Sequence, residues 1–262
     1  VYPYMLDSLA SRTGRAVPYL TVVTDSFVIN KSWLCSKSPL WAVTDPWTRA
    51  IMEEKGLPQD RLRVTGFPVN PVLGALAKEH PLSWKEGEPF RVLYFAQRSA
   101  RHARAELAGM LDANPALHVT CILGRRFRRI YPRIRDLRAR YGRRLTVRGW
   151  TRRVPSYLAA SHVVVGKAGG ATVHEVLAAA RPMLVNFLLP GQEEGNTRLL
   201  EKLGGGGHVP DVRALASALQ EMMADGGAQW RRMHENLLRA GMTGGSGRIA
   251  DLALKLAEEH TN

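Results

Sequence analysis

The chain has 262 residues, 45% hydrophobic and 23% charged, with a formal net charge of +14. That length and balance suit a soluble globular protein with one large or two small cores. They exclude a membrane-spanning protein, because no apolar stretch approaches the ~18–20 residues a span needs. The opening VYPYMLDSLA has no basic segment leading into an apolar one, so it is not a signal peptide. Without an initiator Met, the chain is expected to be a fragment or a processed form. Cys35 and Cys121 lie far apart without metal-ligand spacing and are expected as two buried thiols in a reducing compartment.

In chain order, strand-like runs are expected at residues 19–24, 40–44 and 62–65, with a helix over 46–55. The stretch GFPVNPVLGALAKEHPLSWKEGEP is rich in proline and turn residues and marks a boundary. Beyond it, strands at 91–96, 117–123, 145–148, 163–166 and 183–187 alternate with helices at 100–111, 132–141 and 171–179. Several runs are continuously apolar, as in parallel strands covered on both faces. The alternation predicts doubly wound α/β units. Three closing helices follow at 212–224, 228–240 and 249–259, the last two separated by the glycine-rich residues 241–247. The expected division is 1–73, a linker at 74–89, and a complete Rossmann-like domain at 90–262. The first part supplies only about three strands, too few for a doubly wound domain of its own. GGGGH at 204–208 is read as a helix C-cap and turn, and His208 is given no catalytic role.

Between residues 125 and 153 stand thirteen Arg, no Lys and one acid, Asp136. Such density calls for nucleotide phosphates, an anionic lipid surface or nucleic acid, or it is a solvated face. Phe127, Ile130, Ile134, Leu137 and Tyr141 recur at spacings of three and four, an apolar stripe expected to meet the core while the arginines face outward.

VVVGKAGGATVHEV places Gly169 and Gly170 between a strand and a helix whose first turn holds Thr172. Free N–H groups and the helix dipole there attract an anion, although any parallel α/β corner also needs such a turn. Glu175, one turn on, suits the diol of a ribose, or is simply an acid favoured near a helix N-terminus. The next strand ends in PGQEEGN, where Gln192, Glu193, Glu194 and Asn196 offer the donors and acceptors that sugar hydroxyls need.

The stretch from VRGW through KAGGATVHE to PGQEEGN, with VTDSFVINKSW and LRVTGFPVNP upstream, resembles two-domain GT-B glycosyltransferases. It is most similar to the monogalactosyldiacylglycerol synthase and processive diacylglycerol glucosyltransferase group, with MurG-type peptidoglycan transferases more distant. The resemblance implies a GT-B-like α/β fold: one complete Rossmann-like C-terminal domain plus the last part of an N-terminal Rossmann-like domain. It implies inverting transfer of a galactose or glucose from a UDP-hexose to diacylglycerol or a similar lipid. No metal or other cofactor is called for, and the location would be cytoplasmic, peripheral on the anionic inner face of the cell membrane. By the same resemblance, Gly169, Gly170, Ala171 and Thr172 face the donor diphosphate and Glu175 binds the uridine ribose. Gln192, Glu193 and Asn196 contact the donor sugar, Gly149 and Trp150 lie against uracil, Gly124 and Arg125 line the site, and Lys167 reaches a phosphate.

Three departures stand out. The loop after the strand at 91–96 reads AQRSARHAR, without the family's glycines, so Arg98 or Arg101 would have to supply charge instead. The histidine often found after the TD pair is missing. The glycine-rich loop carrying the family's catalytic base would lie before Val1, which leaves the catalytic residue unassigned and Asp25 as the acidic candidate, with a structural role as its alternative. Two other readings remain: a non-catalytic nucleotide-sugar-binding or membrane-surface module, and transfer to another lipid-linked acceptor. The Arg run lacks the interleaved aromatics of a nucleic-acid stacking surface.

Overall fold

The computed structural model describes residues 2–15, 18–79 and 82–259. The chain opens on helix α1 (Tyr2–Thr13), which buries none of its residues. A parallel three-stranded sheet follows, built from β1 (Leu20–Val22), β2 (Leu40–Val43) and β3 (Leu62–Val64) in that order. Helix α2 (Pro46–Glu54) starts sharply because Pro46 is preset for a first turn and Asp45 caps it, accepting from the Thr48 N–H at 2.8 Å. Trp41, Val43, Met52 and Leu62 close the core of this first unit. Cys35, expected to be buried, is exposed just past a 3-10 turn, whereas Cys121 is buried in the second unit.

The second unit is a six-stranded, all-parallel sheet: β4 (Phe90–Phe95), β5 (Leu117–Ile122), β6 (Leu145–Arg148), β7 (Val163–Lys167), β8 (Met183–Phe187) and β9 (Gly206–His208). The order is β6-β5-β4-β7-β8-β9, so the direction of winding reverses between β4 and β7. The helices are α4 (Ala100–Ala113), α5 (Phe127–Ile130), α6 (Arg135–Tyr141), α7 (Val154–Ala160), α8 (Gly170–Ala178), α9 (Gln192–Lys202), α10 (Val212–Met223) and α11 (Ala228–Ala240). The stripe expected on the arginine segment is core: Ile130, Ile134, Leu137 and Tyr141 are all buried beside Val119 and Val147. Its backbone is not the single helix expected over 132–141. Pro132 cannot donate to the previous turn, and the chain breaks into α5, a 3-10 turn and α6.

Two further elements differ from expectation. GGGGH does begin with a left-handed C-cap glycine, Gly204 at φ 61°, but it continues as an edge strand. A Cβ at Gly206 would lie 1.8 Å from the Met183 carbonyl, so only glycine lets β9 approach β8. The expected linker begins inside a helix, α3 (Val72–Glu79), and Val69 and Leu73 before it are buried in the core of the second unit. The chain therefore crosses between the units near residues 66–69.

Helix α12 (Gly245–Glu259) crosses back to lie on β1. A Cβ at Gly245 would sit 2.1 Å from the Phe67 carbonyl, and Arg248 Nε donates to the Thr65 carbonyl at 2.6 Å. Among the described residues, no helix is long and apolar enough to cross a membrane.

Candidate functional site

The carboxyl ends of β4, β5, β7 and β8 open on a cleft of about 420 Å³, lined by Gln97, Gly124, Arg125, Arg126, Lys167 and Phe187 among others. This is the switch point of the sheet, where open α/β folds seat their ligands because the loops diverge on either side. Gly124 turns the chain at φ 57°, a conformation that glycine adopts without strain. Arg126, which the sequence reading did not single out, reaches across the cleft floor and donates to the carbonyls of Arg98 (3.3 Å) and Ala96 (3.4 Å).

Helix α8 begins at the same rim. Its N-cap is Gly169, which supplies no side-chain acceptor, so the first-turn N–H groups are left for another partner. Gly170 is one of the points where the two units touch: a Cβ there would stand 3.1 Å from the Thr24 carbonyl. Ala171 is exposed and Thr172 half-buried on the first turn. Glu175 is half-buried one turn on, its carboxylate making no hydrogen bond or ion pair among the described residues, and burial raises its carboxyl above the usual range.

Helix α9 supplies the second loop. Gln192 opens it, with its side chain outside the described residues. Glu193 is buried; one carboxylate oxygen accepts from the Leu189 N–H at 2.7 Å and the other pairs with the Lys167 ammonium. The two residues expected to contact phosphate and sugar separately thus neutralise each other here. Asn196 is 1% exposed and donates through Nδ2 to the Ala168 carbonyl at 2.9 Å, tying α9 to the loop before α8. At the far edge of the sheet, Gly149 backs onto the Phe127 ring, and Trp150 is 59% exposed with the Arg152 guanidinium over its indole.

The glycine-free loop after β4 has its own arrangement. Ser99 caps α4, accepting from the His102 N–H. Arg98 lies over the Phe187 ring and pairs at 3.4 Å with Glu106, a buried acid that also holds the Tyr94 hydroxyl and the Asn186 amide. Arg101 is exposed on the first turn of α4. Glu106 could have been suspected from the sequence as an acid on the apolar face of α4, beside Ala103, Leu107 and Met110.

On the first unit, the Thr24–Val28 segment faces α8 and α9. Asp25 is 2% exposed and accepts from the Trp33 indole N–H at 2.6 Å, the arrangement of a structural carboxylate. Beside it, Ser26 Oγ meets His174 Nε2 at 3.2 Å and Thr44 Oγ1 at 3.0 Å, and the His174 ring stacks on Phe67 at 4.4 Å. Burial holds the His174 imidazole down to about 4, so it is neutral at physiological pH. His174 carries no local signal in the sequence, because its partners Ser26 and Phe67 lie far away in the chain.

No family model matches the chain. It is 24% identical over 256 residues to the processive diacylglycerol beta-glucosyltransferase of Bacillus subtilis, covering 95% of this chain and 66% of that protein. It is 27% identical over 209 residues to the same-named protein of Staphylococcus epidermidis (77% of this chain, 52% of that one). To a probable monogalactosyldiacylglycerol synthase of Oryza sativa it is 25% identical (92% and 50%). The chain thus spans between half and two thirds of these relatives. Among solved structures, Acinetobacter baumannii MurG superposes with a TM-score of 0.67 at 15% identity, over 94% of this chain and 69% of that one. A UDP-GlcNAc 2-epimerase from Neisseria meningitidis bound to UDP-GlcNAc gives 0.59 at 16% identity (83% and 62%). The fold is GT-B, as the sequence resemblance implied, and the curated relatives are the diacylglycerol glycosyltransferases it pointed to.

Proposed function

We propose that this chain is the donor-binding part of a glycosyltransferase that moves a galactose or glucose from a UDP-sugar to diacylglycerol or a similar membrane lipid. The observation that carries the reading is the open N-terminus of α8 at the switch point, followed one turn later by Glu175, whose carboxylate has no partner among the described residues. The similarity to proteins named as diacylglycerol glycosyltransferases supports it.

In this reading the amides of Gly170, Ala171 and Thr172, with Gly169 at the turn, hold the diphosphate. Glu175 accepts from the ribose diol, while Gly149 and Trp150 flank the uracil and Gly124 and Arg125 line the cleft. Gln192, Glu193 and Asn196 lie towards the sugar. Lys167 exchanges Glu193 for a phosphate oxygen when the donor arrives. Departure of UDP builds negative charge at the β-phosphate, and preorganised N–H donors and cations stabilise it without reorganisation, so no metal is required. Attack with inversion needs a base at the acceptor hydroxyl, and that base belongs to the acceptor side. The arginine-rich segment faces the anionic inner surface of the cell membrane, where each residue near the lipid contributes roughly 1 kcal/mol.

The test is twofold: the melting temperature of this chain with and without UDP, and transfer of label from UDP-galactose and UDP-glucose into diacylglycerol vesicles by the chain together with any acceptor-side sequence encoded ahead of Val1. A rise with UDP together with labelled glycolipid is expected. No response to UDP would overturn the donor site. A UDP response without transfer would favour a non-catalytic nucleotide-sugar-binding module, a reading that one observation supports: the glycine-free loop after β4, with its Arg98 engaged by Glu106.

A further inference from the structure

At the opposite ends of the same strands the sheet carries a second cationic recess. Parallel strands are ordinarily apolar on both faces, because helices cover both. β5 and β6 depart from this: LHVTCI and LTVR alternate buried residues with the half-buried His118, Thr120 and Thr146 and the exposed Arg148. Thr120 stands opposite Thr146 in register, and His118 opposite Arg91 of β4. The polar positions thus form one continuous face. It floors a recess of about 310 Å³ whose lining includes Arg91, Arg143 and Arg144, with Tyr157 and Ser161 at the end of α7 and no carboxylate.

The guanidinium groups are placed by the fold rather than by acids. Arg91 Nε donates to the Ala160 carbonyl at 2.6 Å. Arg144 Nη1 donates to the carbonyls of Leu111 (2.9 Å) and Asn114 (3.2 Å). Among the described residues nothing engages Nη1 of Arg91, Nη2 of Arg144 or any donor of Arg143. The Tyr157 hydroxyl accepts from Arg148 Nε at 3.3 Å, which leaves its own proton to donate. His118 registers the uncompensated charge: burial, then Arg144 and Arg91, hold its imidazole below the usual value.

We propose that this recess binds a phosphate group, at a site separate from the cleft at the carboxyl ends of the strands. Fixed guanidinium donors and hydroxyls around a tetrahedral anion give short, charge-assisted hydrogen bonds, and the absence of a carboxylate removes the competitor. Six-residue strands hold the two sites roughly 15–20 Å apart, so each can be filled without the other. The proposal does not rest on the donor reading.

The probes are inorganic phosphate and glycerol 3-phosphate, followed by calorimetry and by the proton resonances of His118, and phosphatidylcholine vesicles with or without phosphatidylglycerol, followed by sedimentation. The variant is Arg143→Glu, whose side chain holds no part of the fold. Arg128→Glu, the same charge change at an exposed position away from the recess, is the control. Soluble phosphate is expected to bind the native chain and to raise the pH at which His118 titrates. Arg143→Glu should weaken this about tenfold, as the loss of one charge-assisted partner would, and Arg128→Glu less than twofold. Vesicle binding weakened at least tenfold more by Arg143→Glu than by Arg128→Glu, without a response to soluble phosphate, would also support the site and identify a lipid headgroup as its source. Equal losses in both variants, or no response to either probe, would overturn the proposal.

Discussion

Glu175 is an acid that burial makes costly to ionise and whose carboxylate has no compensating partner among the described residues. Its folded pKa lies above the unfolded one, so whatever stability it contributes is present below the ordinary glutamate range and is lost as pH rises through the folded value. Replacing it by Gln removes that loss at neutral pH. Glu175→Gln is therefore expected to melt at the same temperature as the native chain or higher at pH 7, while its UDP affinity falls about tenfold or more. A lower melting temperature at pH 7 would make Glu175 a structural residue instead. Glu175 stands out in the sequence as an acid one turn into a helix after Gly-Gly. The Lys167–Glu193 pair does not, since each residue taken alone suggests a ligand contact and only the juxtaposition of β7 with α9 joins them. Arg98 was likewise read as available charge because its partner, Glu106, lies on the next helix.

At the scale of elements, α9 approaches the first unit more closely than any side chain would allow. A Cβ at Gly195 would lie 1.9 Å from the Ser26 carbonyl and 2.7 Å from the Val28 nitrogen, both backbone atoms. Gly195→Ala is expected to cost about 1–3 kcal/mol through forced displacement, read from denaturant unfolding. Gly247→Ala, in α12 with nothing within 4 Å of its added methyl, should instead gain up to about 1 kcal/mol from helix propensity. Equal effects of the two changes would rule out the contact as the reason for Gly195. PGQEEGN was read as a ligand loop, and the glycine inside it turns out to serve the join between the units. β4, β7 and β8 were legible because apolar parallel strands announce themselves, and β5 and β6 because their residues alternate. β9 was not, because a strand of glycines has no side-chain pattern and forms only where a neighbour offers its edge. α3 was hidden by the prolines on either side of it, although its Leu73 reaches the core.

Over the whole molecule, three buried imidazoles share one consequence. Desolvation first, then neighbouring arginines for two of them, holds His162 down to about 3, His174 to about 4 and His234 below its usual value. The unfolded chain takes up protons at these residues below about pH 6.5 while the folded chain does not, so stability falls as pH drops from about 6.5 through 4. Each histidine contributes a slope of up to about 1.4 kcal/mol per pH unit in that window. The urea midpoint is expected to decline steeply between pH 6.5 and 4.5, and less so for His174→Gln. A midpoint unchanged over that range would mean the imidazoles are not held neutral. His174 sits between Ser26 and Phe67, so its protonation falls on the boundary between the two units.

That boundary is crossed twice, near residues 66–69 and again where α12 returns to β1. The two crossings run side by side: Gly245 lies against Phe67, and Arg248 clasps the carbonyls of Thr65 and Thr243. Gly66 (φ 83°) and Gly244 (φ 77°) supply the turns on either side. A body attached at one point can swivel in every direction, whereas a door hung on two hinges can only swing. Paired crossings of this kind fix an axis: any turning of one unit against the other is confined to that line, and the cleft, lined by the second unit alone, is carried with it unchanged.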